Sequence, residues 1–373
     1  MTLSLLAVSL LYAFFTFLLW MTWLRMPAFV PDIPGTGSPR ITVIIPVRNE
    51  ASTIGNLLDD LSKQTFRQFE VIVADDASTD NTGQLVRQYA EQASFVLHPL
   101  SLREERTASP KKRAITQSIA QATGDLIVTT DGDCRVGPEW LATIAAFYTR
   151  TGAKLISGPV TFTDEHGVFD TLQTVEFASL IGSGACTMRL GYPTMCNGAN
   201  LCYEKKVFTE VGGFAGVDHL ASGDDEFLMH KIASRYPDGV RFLKHAGSIV
   251  RTGSHRSWGA FYSQRKRWAS KWKAYASYGP SVLAVFIFLS NAAPIVSILG
   301  WAGGYLTGKT VLMVLGLKII PEFLFLHRIL VFLQKRSAVW GIPFTQLIYP
   351  LYVLFFGLAA QGKGYTWKDR RLT

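Results

Sequence analysis

Long apolar segments at both ends of this chain restrict most of its charged residues to the middle. Residues 1–24 contain no charged side chain, uncharged segments recur at 274–308 and 337–362, and a largely apolar segment lies at 310–332. A helix of about 20 apolar residues crosses a bilayer, so we expect four transmembrane helices, the first at 3–23. An uncleaved anchor is favoured over a secretory signal, because a basic n-region and a clear small-residue cleavage site are missing.

Charged residues in and beside these segments bear on topology. Lys318 and Glu322 are four residues apart and could pair on one helix face inside the bilayer, although a partly interfacial segment is the alternative. Arg25, Arg40 and a basic block before the second segment place the middle of the chain in the cytoplasm. Four crossings would leave the C-terminus outside, whereas the tail is basic. We therefore expect that one segment is not a simple crossing.

The sequence divides into six regions. They are a transmembrane anchor at 1–25, a linker at 26–40, an α/β domain at 41–250, a basic and aromatic interfacial helix region at 251–279, about three transmembrane helices at 280–362, and a basic tail at 363–373. The net charge of +9 could favour nucleic acid, but we find no recognition motif. Anionic membrane lipids and a nucleoside diphosphate account for the charge instead.

Strands and helices alternate in the predicted α/β domain. Short apolar runs predict strands at 41–45, 71–74 and 125–130, and apolar periodicity predicts helices at 50–63, 81–92 and 111–122. Such alternation favours a mainly parallel sheet with helices on both faces. Ligands bind such sheets at the carboxyl ends of the strands. Pro46, Asp75 and Asp131 all fall at carboxyl ends, so we expect one site there.

Two acidic motifs end predicted strands. A carboxylate at Asp75, assisted by Asp76, could accept hydrogen bonds from a base or a ribose, while capping of the next helix is the alternative and is assigned to Asp80. Asp131-Gly132-Asp133 could share a hard cation such as Mg²⁺ or Mn²⁺, since such ions prefer oxygen ligands. A plain turn rich in Asp and Gly is the alternative for this motif.

Further polar residues are expected around the same edge. Asn49 and Glu50 follow Pro46 and could simply start a helix. Lys111 opens a helix, where its ammonium group and the helix N-terminus could meet a diphosphate, although a solvated basic turn is equally compatible. Asp225, in Gly223-Asp224-Asp225, is a candidate general base, and an acid-rich helix N-terminus is the alternative.

The segment 251–278 holds seven basic residues and no acid, with aromatic residues at helical spacing. This pattern is typical of an amphipathic helix at the membrane surface. The same segment contains Gln264, Arg267 and Trp268. A guanidinium fork can hold a diphosphate, and an indole face can stack on a sugar or a lipid head group. We expect one helix to serve both purposes.

The order of these motifs resembles that of the membrane-bound family 2 glycosyltransferases, which include cellulose synthase, hyaluronan synthase and ceramide glucosyltransferase. The resemblance covers roughly residues 40–280 and implies a GT-A fold, that is, a Rossmann-like α/β domain in the cytoplasm, with transmembrane helices beside it. It implies donor binding by Pro46, Asn49, Glu50, Asp75, Asp76, Lys111 and Asp131, a Mg²⁺ or Mn²⁺ ion on Asp133 and Asp131, catalysis by Asp225, and diphosphate or acceptor contacts by Gln264, Arg267 and Trp268.

The same resemblance implies an inverting transfer from a nucleotide sugar, with UDP as the expected nucleotide. Four spans are few for a polysaccharide pore, and Met195 and Cys196 depart from the pattern of polymerising synthases. We therefore expect transfer to a membrane lipid or a lipid-linked glycan in the cell's inner or plasma membrane, with a chain-extending synthase as the alternative. A silent membrane scaffold or a small transporter is disfavoured, because Asp131, Asp133 and Asp225 are all present and most acids lie outside the apolar segments.

Overall fold

The computed structural model describes residues 2–31, 37–103, 108–163, 167–220, 222–269, 279–359, 365–367 and 370–372. Parts of the predicted linker (32–36), of the interfacial helix region (270–278) and of the predicted basic tail lie outside the described residues. The chain forms two compact units. The α/β unit comprises Met26–Thr163, Thr187–Gly253 and Trp367–Thr373, and the helical unit comprises Met1–Arg25, Asp164–Cys186 and Ser254–Thr366.

Strands of the α/β unit form a seven-stranded sheet and a small two-stranded sheet. The strands are β1 Ile41–Val47, β2 Phe69–Asp76, β3 Val96–Leu102, β4 Leu126–Thr129, β5 Leu155–Ser157, β6 Val160–Phe162, β7 Leu201–Glu204, β8 Val240–Phe242 and β9 Val250–Thr252. The large sheet has the order β3-β2-β1-β4-β7-β5-β8, and the small one pairs β6 with β9. Two short strands near the C-terminus, β10 Tyr365–Trp367 and β11 Arg370–Leu372, form a separate pair.

The large sheet is mainly parallel, as predicted. Strands β3, β2, β1 and β4 are parallel neighbours, and β5 is parallel to β8. Strand β7 is antiparallel to both β4 and β5. Its antiparallel direction does not show in the sequence, because the strand has only four residues, all of them buried, and no alternation of polar and apolar side chains.

Strand β1 continues through Pro46, whereas the sequence predicted that it ends there. Pro46 pairs with Ala74 of β2, and Val47 pairs with Asp75. On the other side, pairing with β4 ends at Ile44 and Thr129. Ile44 accepts a hydrogen bond from Thr130 on that side, and Pro46, two residues on, faces the same way. The missing N–H of Pro46 therefore costs no ladder hydrogen bond.

Helices of the α/β unit cover the sheet. They are α2 Ile54–Ser62, α3 Thr82–Ala90, α4 Pro110–Gln121, α5 Trp140–Thr151, α7 Lys205–Glu210 and α8 Glu226–Arg235. One hydrophobic core joins Ile44 and Ile127 of the sheet to Ile115 of α4 and Leu228 of α8. This shared core fixes the N-termini of α4 and α8 relative to the strands.

The helical unit contains α1 Thr2–Arg25, most of α6 Val168–Arg189, α9 Trp258–Ala269, α10 Gly279–Ala302, α11 Gly308–Phe332 and α12 Ile342–Ala359. Among the described residues, four helical segments are long and apolar enough to cross a membrane: Thr2–Arg25, Gly279–Ala302, Gly308–Phe332 and Ser337–Ala359. This number agrees with the prediction. Helix α6 lies inside the range predicted for the α/β domain, but most of it groups with these apolar helices.

Polar side chains join three of the apolar helices. Lys318 and Glu322 of α11 form the ion pair that their spacing predicts. Tyr12 of α1 donates a hydrogen bond to Glu322, and Gln346 of α12 donates to the other carboxylate oxygen at 3.4 Å. Buried charges of this kind are tolerated when they are paired and hydrogen-bonded.

Candidate active site

The loops after β1 and β2 are joined by side-chain hydrogen bonds. Asn49 has a positive φ of 56°, a conformation that Asn tolerates better than most residues. Its side-chain oxygen accepts from the backbone N–H of Thr79 at 2.8 Å, and its own N–H donates to Ser78 Oγ at 3.0 Å. The N–H of Glu50 donates to Thr82 Oγ1 at 2.8 Å. Asn49 and Glu50 thus shape the carboxyl edge of the sheet.

Asp75 and Asp76 have different surroundings although they are adjacent. Asp75 is half-buried, and its Oδ1 accepts from the N–H and the hydroxyl of Ser78 at 2.9 and 2.5 Å. Asp76 is buried, and its carboxylate accepts from Arg113 Nη2 at 2.6 Å. Asp80 accepts from the N–H and the hydroxyl of Thr82, the first residue of α3, whereas the N-cap position itself is Asn81. Asp75 is therefore the better placed of the pair for a ligand.

Close packing beneath the Asp131-Gly132-Asp133 turn explains its central glycine. A Cβ atom on Gly132 would lie 2.8 Å from Val47 Cγ1 and 3.2 Å from Glu50 Cγ. Any larger residue would have to displace the turn or the β1 loop. Glu50, a predicted site residue on the loop after β1, therefore supports this turn, and Pro46, also predicted, lies within β1 next to Val47.

Lys111 joins the acidic motif after β4 to the one before α8. Its Nζ lies 2.7 Å from Asp131 Oδ1 and 3.4 Å from Asp224 Oδ2. Burial lowers the pKa of Lys111, but the negative charges of Asp131, Asp224 and Asp225 outweigh burial, so the pKa lies above its ordinary value. Lys111, which was predicted from sequence to meet a diphosphate, thus lies within a cluster of three carboxylates.

Asp225 both caps α8 and faces the cluster. Its Oδ1 accepts from the N–H of Glu226 at 2.8 Å, so Asp225 is the N-cap of α8, in line with the helix N-terminus that was the alternative to a general base. Its Oδ2 accepts from the N–H of Gly198 at 3.0 Å, and the carbonyl oxygen of Gly198 accepts from Thr129 Oγ1 at 2.8 Å. A Cβ atom on Gly198 would lie only 3.2 Å from Asp224 Oδ2, so glycine permits this close approach.

The acidic groups fit a cation that is shared with a substrate. Asp133 is exposed and accepts a hydrogen bond from Thr252 Oγ1 of β9 at 3.2 Å, while the side chain of Asp131 is partly exposed. Within the described parts of the chain, no group of three or more His, Cys, Asp or Glu side chains could hold a metal ion by itself. Mg²⁺ is commonly bound by one or two carboxylates together with substrate phosphates, so Asp131 and Asp133 suffice for that arrangement.

Two residues of this region were missed by sequence reasoning. Thr252 comes beside Asp133 because β9 pairs with β6 and Arg251 bridges to Arg135, a long-range contact without a local signal. In the sequence, Lys112 is a second basic residue beside Lys111 and was not predicted to have a role of its own. In the structure it is buried and binds backbone carbonyl groups.

Gln264, Arg267 and Trp268 lie on α9 in the helical unit, each half-buried. The intervening Arg265, which the sequence analysis did not select, is buried and forms a two-point ion pair with Glu176 of α6, at 3.1 and 2.5 Å. Its guanidinium carbon lies 4.4 Å from the ring centroid of Trp268, and it also donates to Gln264. Arg265 therefore contacts two of the three predicted motif residues.

His255 lies in the same electrostatic environment. Burial lowers its pKa, and the positive charges of Arg265 and Arg267 lower it further, against a hydrogen bond with Gln264 and the charge of Glu176. The imidazole is therefore neutral at pH 7. Gln173 of α6 holds the backbone of His255 through two hydrogen bonds.

Comparison with known proteins assigns the fold. Residues 42–217 match the model of Glycosyl transferase family 2. Glycosyltransferase AglE of Haloferax volcanii is 29% identical over 189 residues, which are 50% of this chain and 59% of AglE. Poly-beta-1,6-N-acetyl-D-glucosamine synthase of Staphylococcus aureus is 27% identical over 243 residues, which are 64% of this chain and 56% of the synthase. The chain thus spans less than two thirds of the length of both relatives.

A solved mannosyltransferase structure has a similar fold over most of this chain. The mannosyltransferase PcManGT from Pyrobaculum calidifontis, in complex with GDP-Man and Mn²⁺, aligns with a TM-score of 0.56 and 20% sequence identity. The alignment covers 92% of this chain and 99% of PcManGT. At this identity the likeness shows a common fold.

Proposed function

We propose that this chain, whose residues 42–217 match the model of Glycosyl transferase family 2 and whose fold is GT-A, is a membrane enzyme that moves a sugar from a nucleotide sugar to a hydroxyl group of a membrane lipid or lipid-linked glycan. The family resemblance indicates UDP as the nucleotide. The observation that carries the proposal is the cluster in which Lys111 binds both Asp131 and Asp224 beside Asp225. The four candidate spans favour a membrane-bound acceptor.

Asp225 acts as the general base in this proposal. Its carboxylate takes the proton of the acceptor hydroxyl, whose oxygen attacks the anomeric carbon of the donor. The bond between that carbon and the phosphate oxygen breaks, and its electron pair leaves with the nucleoside diphosphate. A single displacement of this kind inverts the configuration at the anomeric carbon. The N–H of Gly198 holds one oxygen of Asp225, which orients the carboxylate.

Lys111 and the neighbouring acids handle the leaving group. The ammonium group of Lys111 lies at the N-terminus of α4, where a helix favours anions, and it stabilises charge on the diphosphate. A divalent cation on Asp131 and Asp133 would supply further neutralisation of that charge when bound. Asp75, with Pro46 in β1 and with Asn49 and Glu50 on the loop that follows, binds the nucleoside.

Gln264, Arg267 and Trp268 are proposed to contact the diphosphate or the acceptor on the strength of their motif alone. The catalytic domain is proposed to face the cytoplasm, in agreement with the basic residues that flank the apolar segments.

A chain-extending polysaccharide synthase is the second candidate function. The similarity to poly-beta-1,6-N-acetyl-D-glucosamine synthase favours it. Transfer of one or a few sugars remains our first choice, because a translocation pore needs enough helices to surround a polymer, and four candidate spans among the described residues are few.

Nucleotide release by purified protein in lipid nanodiscs tests the proposal. UDP- and GDP-sugars would be offered with Mn²⁺, with Mg²⁺ or with a chelator, in the presence of acceptor lipid extracts. We expect metal-dependent release from one donor, abolished in Asp225→Asn. The matched control is Asp238→Asn, a substitution in an exposed turn beyond α8, which should retain activity.

Product size separates the two candidate functions, because a synthase gives a ladder of polymer lengths and a lipid transferase gives one or a few discrete glycolipids. Failure of every donor to release nucleotide, with folded protein and acceptor lipids present, would refute the enzymatic proposal.

A further inference from the structure

Lys112 is a buried cation directly beside Lys111, and it binds a different set of partners. Its side chain is only 2% exposed. Its Nζ donates to the carbonyl oxygens of Val217 at 2.6 Å, Leu220 at 2.8 Å and Ser222 at 3.2 Å. An ammonium group carries three N–H donors, which matches these three acceptors.

The three carbonyl groups belong to an irregular segment that leads into α8. Residues 211–219 form successive turns that end in a bend at Leu220, so their carbonyl groups lie outside any helix or sheet. The carbonyl oxygen of Val217 accepts from the N–H of Leu220 at 3.1 Å as well as from Lys112. Ser222 directly precedes Gly223, which has a positive φ of 82° and whose added Cβ would lie 2.5 Å from the ring of Phe227. The path of this segment therefore decides where Asp224 and Asp225 lie.

Adjacent lysines of α4 thus hold one segment by two kinds of contact. Lys111 binds the carboxylate of Asp224, and Lys112 binds the backbone just before it. The ammonium group of Lys112 also lies 5.6 Å from the ring centroid of Phe227 in α8, an attractive cation–π distance. Both contacts start from α4, whose core packing fixes it against the sheet.

We propose that Lys112 is a positioning residue for the catalytic carboxylate: by binding the carbonyl groups of Val217, Leu220 and Ser222, it sets the approach of Asp225 to Gly198 and Lys111. This inference rests on the proposed role of Asp225 as the base. A shift of about 1 Å in a reacting group can reduce a rate about a hundredfold, so loss of this anchor lowers kcat, whereas the donor ligands around Asp75 are unchanged.

The test compares Lys112→Met with Lys205→Met. Lys205 also donates to a backbone carbonyl group, that of Ala122 at the opposite end of α4, and is therefore the matched control. We expect Lys112→Met to lower kcat at least about tenfold, with the donor KM and the affinity for the nucleoside diphosphate changed less than about threefold. Lys112→Arg, which keeps the charge, is expected to recover part of kcat.

Hydrogen exchange provides a readout that does not need activity. In peptides covering 217–225, Lys112→Met should speed amide exchange while Lys205→Met should not, since anchored segments exchange through local opening. Equal exchange in this region for both variants, or a parallel loss of nucleotide binding and kcat, would overturn the proposal. If the wild type releases no nucleotide, the proposed function fails, and the exchange comparison still decides whether Lys112 anchors the segment.

Discussion

Lys111 has three carboxylates around it, so its single positive charge offsets part of their negative charge. Because the attraction of Asp131, Asp224 and Asp225 raises its pKa above the ordinary value, Lys111 is charged at every pH below about 10. The stability that these ion pairs contribute is fully present below that pH and is lost only as the pH rises through the folded-state pKa. Lys111 should therefore give no step in an activity profile between about pH 6 and 9.

Replacement of Lys111 should have a large effect. We expect Lys111→Met to lower kcat/KM at least about tenfold, since it removes the cation from a cluster of acids and from the leaving group. Nucleotide-release kinetics measure this effect. Lys206→Met is the control, because Lys206 is largely exposed, pairs with Glu204 at 3.6 Å and should matter little. Similar kinetics for the two variants would contradict the role of Lys111.

Gly132 offers a second prediction, from packing. Gly132→Ala should destabilise the α/β unit by about 1–3 kcal/mol, because the new methyl group overlaps Val47, and it should weaken nucleotide binding by moving Asp131 and Asp133. Thermal unfolding and nucleotide titration measure the two effects. Gly55→Ala is the control, since Gly55 is a helical residue with nothing within 4 Å of an added Cβ, and unchanged behaviour of both variants would refute the packing argument.

The sequence predicted the residues of the candidate site and their partners only in part. Asp75, Asp131 and Lys111 were predicted because each ends or follows an apolar strand or opens a helix, positions that the local pattern indicates. The partners of Lys111 could not be assigned, since Asp224 is brought to it by the packing of α8 rather than by local sequence. Lys112 was missed for the same reason, because a lysine that binds backbone carbonyl groups looks in sequence like any solvated lysine.

At the scale of elements, α9 combines two kinds of arginine. Arg265 is 3% exposed and pairs with the buried Glu176, whose carboxylate also accepts from Tyr352 of α12 at 3.0 Å. Arg267 is half-buried. The sequence motif could not separate these arginines, because the partner of Arg265 lies on α6, a helix that the sequence analysis did not predict. Arg265 therefore joins α9 to α6 and α12, whereas Arg267 is the better candidate for a ligand.

A pair of substitutions separates the two arginines. We expect Arg265→Met to destabilise the helical unit by about 3–5 kcal/mol, because it leaves Glu176 buried without its cation, and Arg267→Met to reduce activity with little loss of stability. Thermal unfolding in detergent and nucleotide release measure these effects. Adding Glu176→Met to Arg265→Met should restore part of the stability, since both charges are then absent. Equal destabilisation by the two single substitutions would contradict the assignment.

At the scale of the whole molecule, topology is the main prediction that remains to be tested. The candidate spans α1, α10, α11 and the segment Ser337–Ala359 were predictable, because length and lack of charge alone define them. Which side each connection faces depends on the weaker signal of flanking basic residues, and the basic tail conflicts with a simple pattern of four crossings.

Single cysteines would resolve the topology. Cys134, Cys186 and Cys202 are buried and Cys196 is half-buried, so a Cys196→Ser background should react slowly with a membrane-impermeant maleimide. In sealed right-side-out vesicles we expect Tyr305→Cys, 81% exposed between α10 and α11, to be labelled directly. Asp238→Cys in the α/β unit and Ser337→Cys after α11 should be labelled only after permeabilisation. Direct labelling of Asp238→Cys would invert the predicted orientation. Direct labelling of both Tyr305→Cys and Ser337→Cys, with Asp238→Cys still protected, would mean that α11 does not cross the membrane. Three crossings would then place the basic tail in the cytoplasm, where its charge favours it.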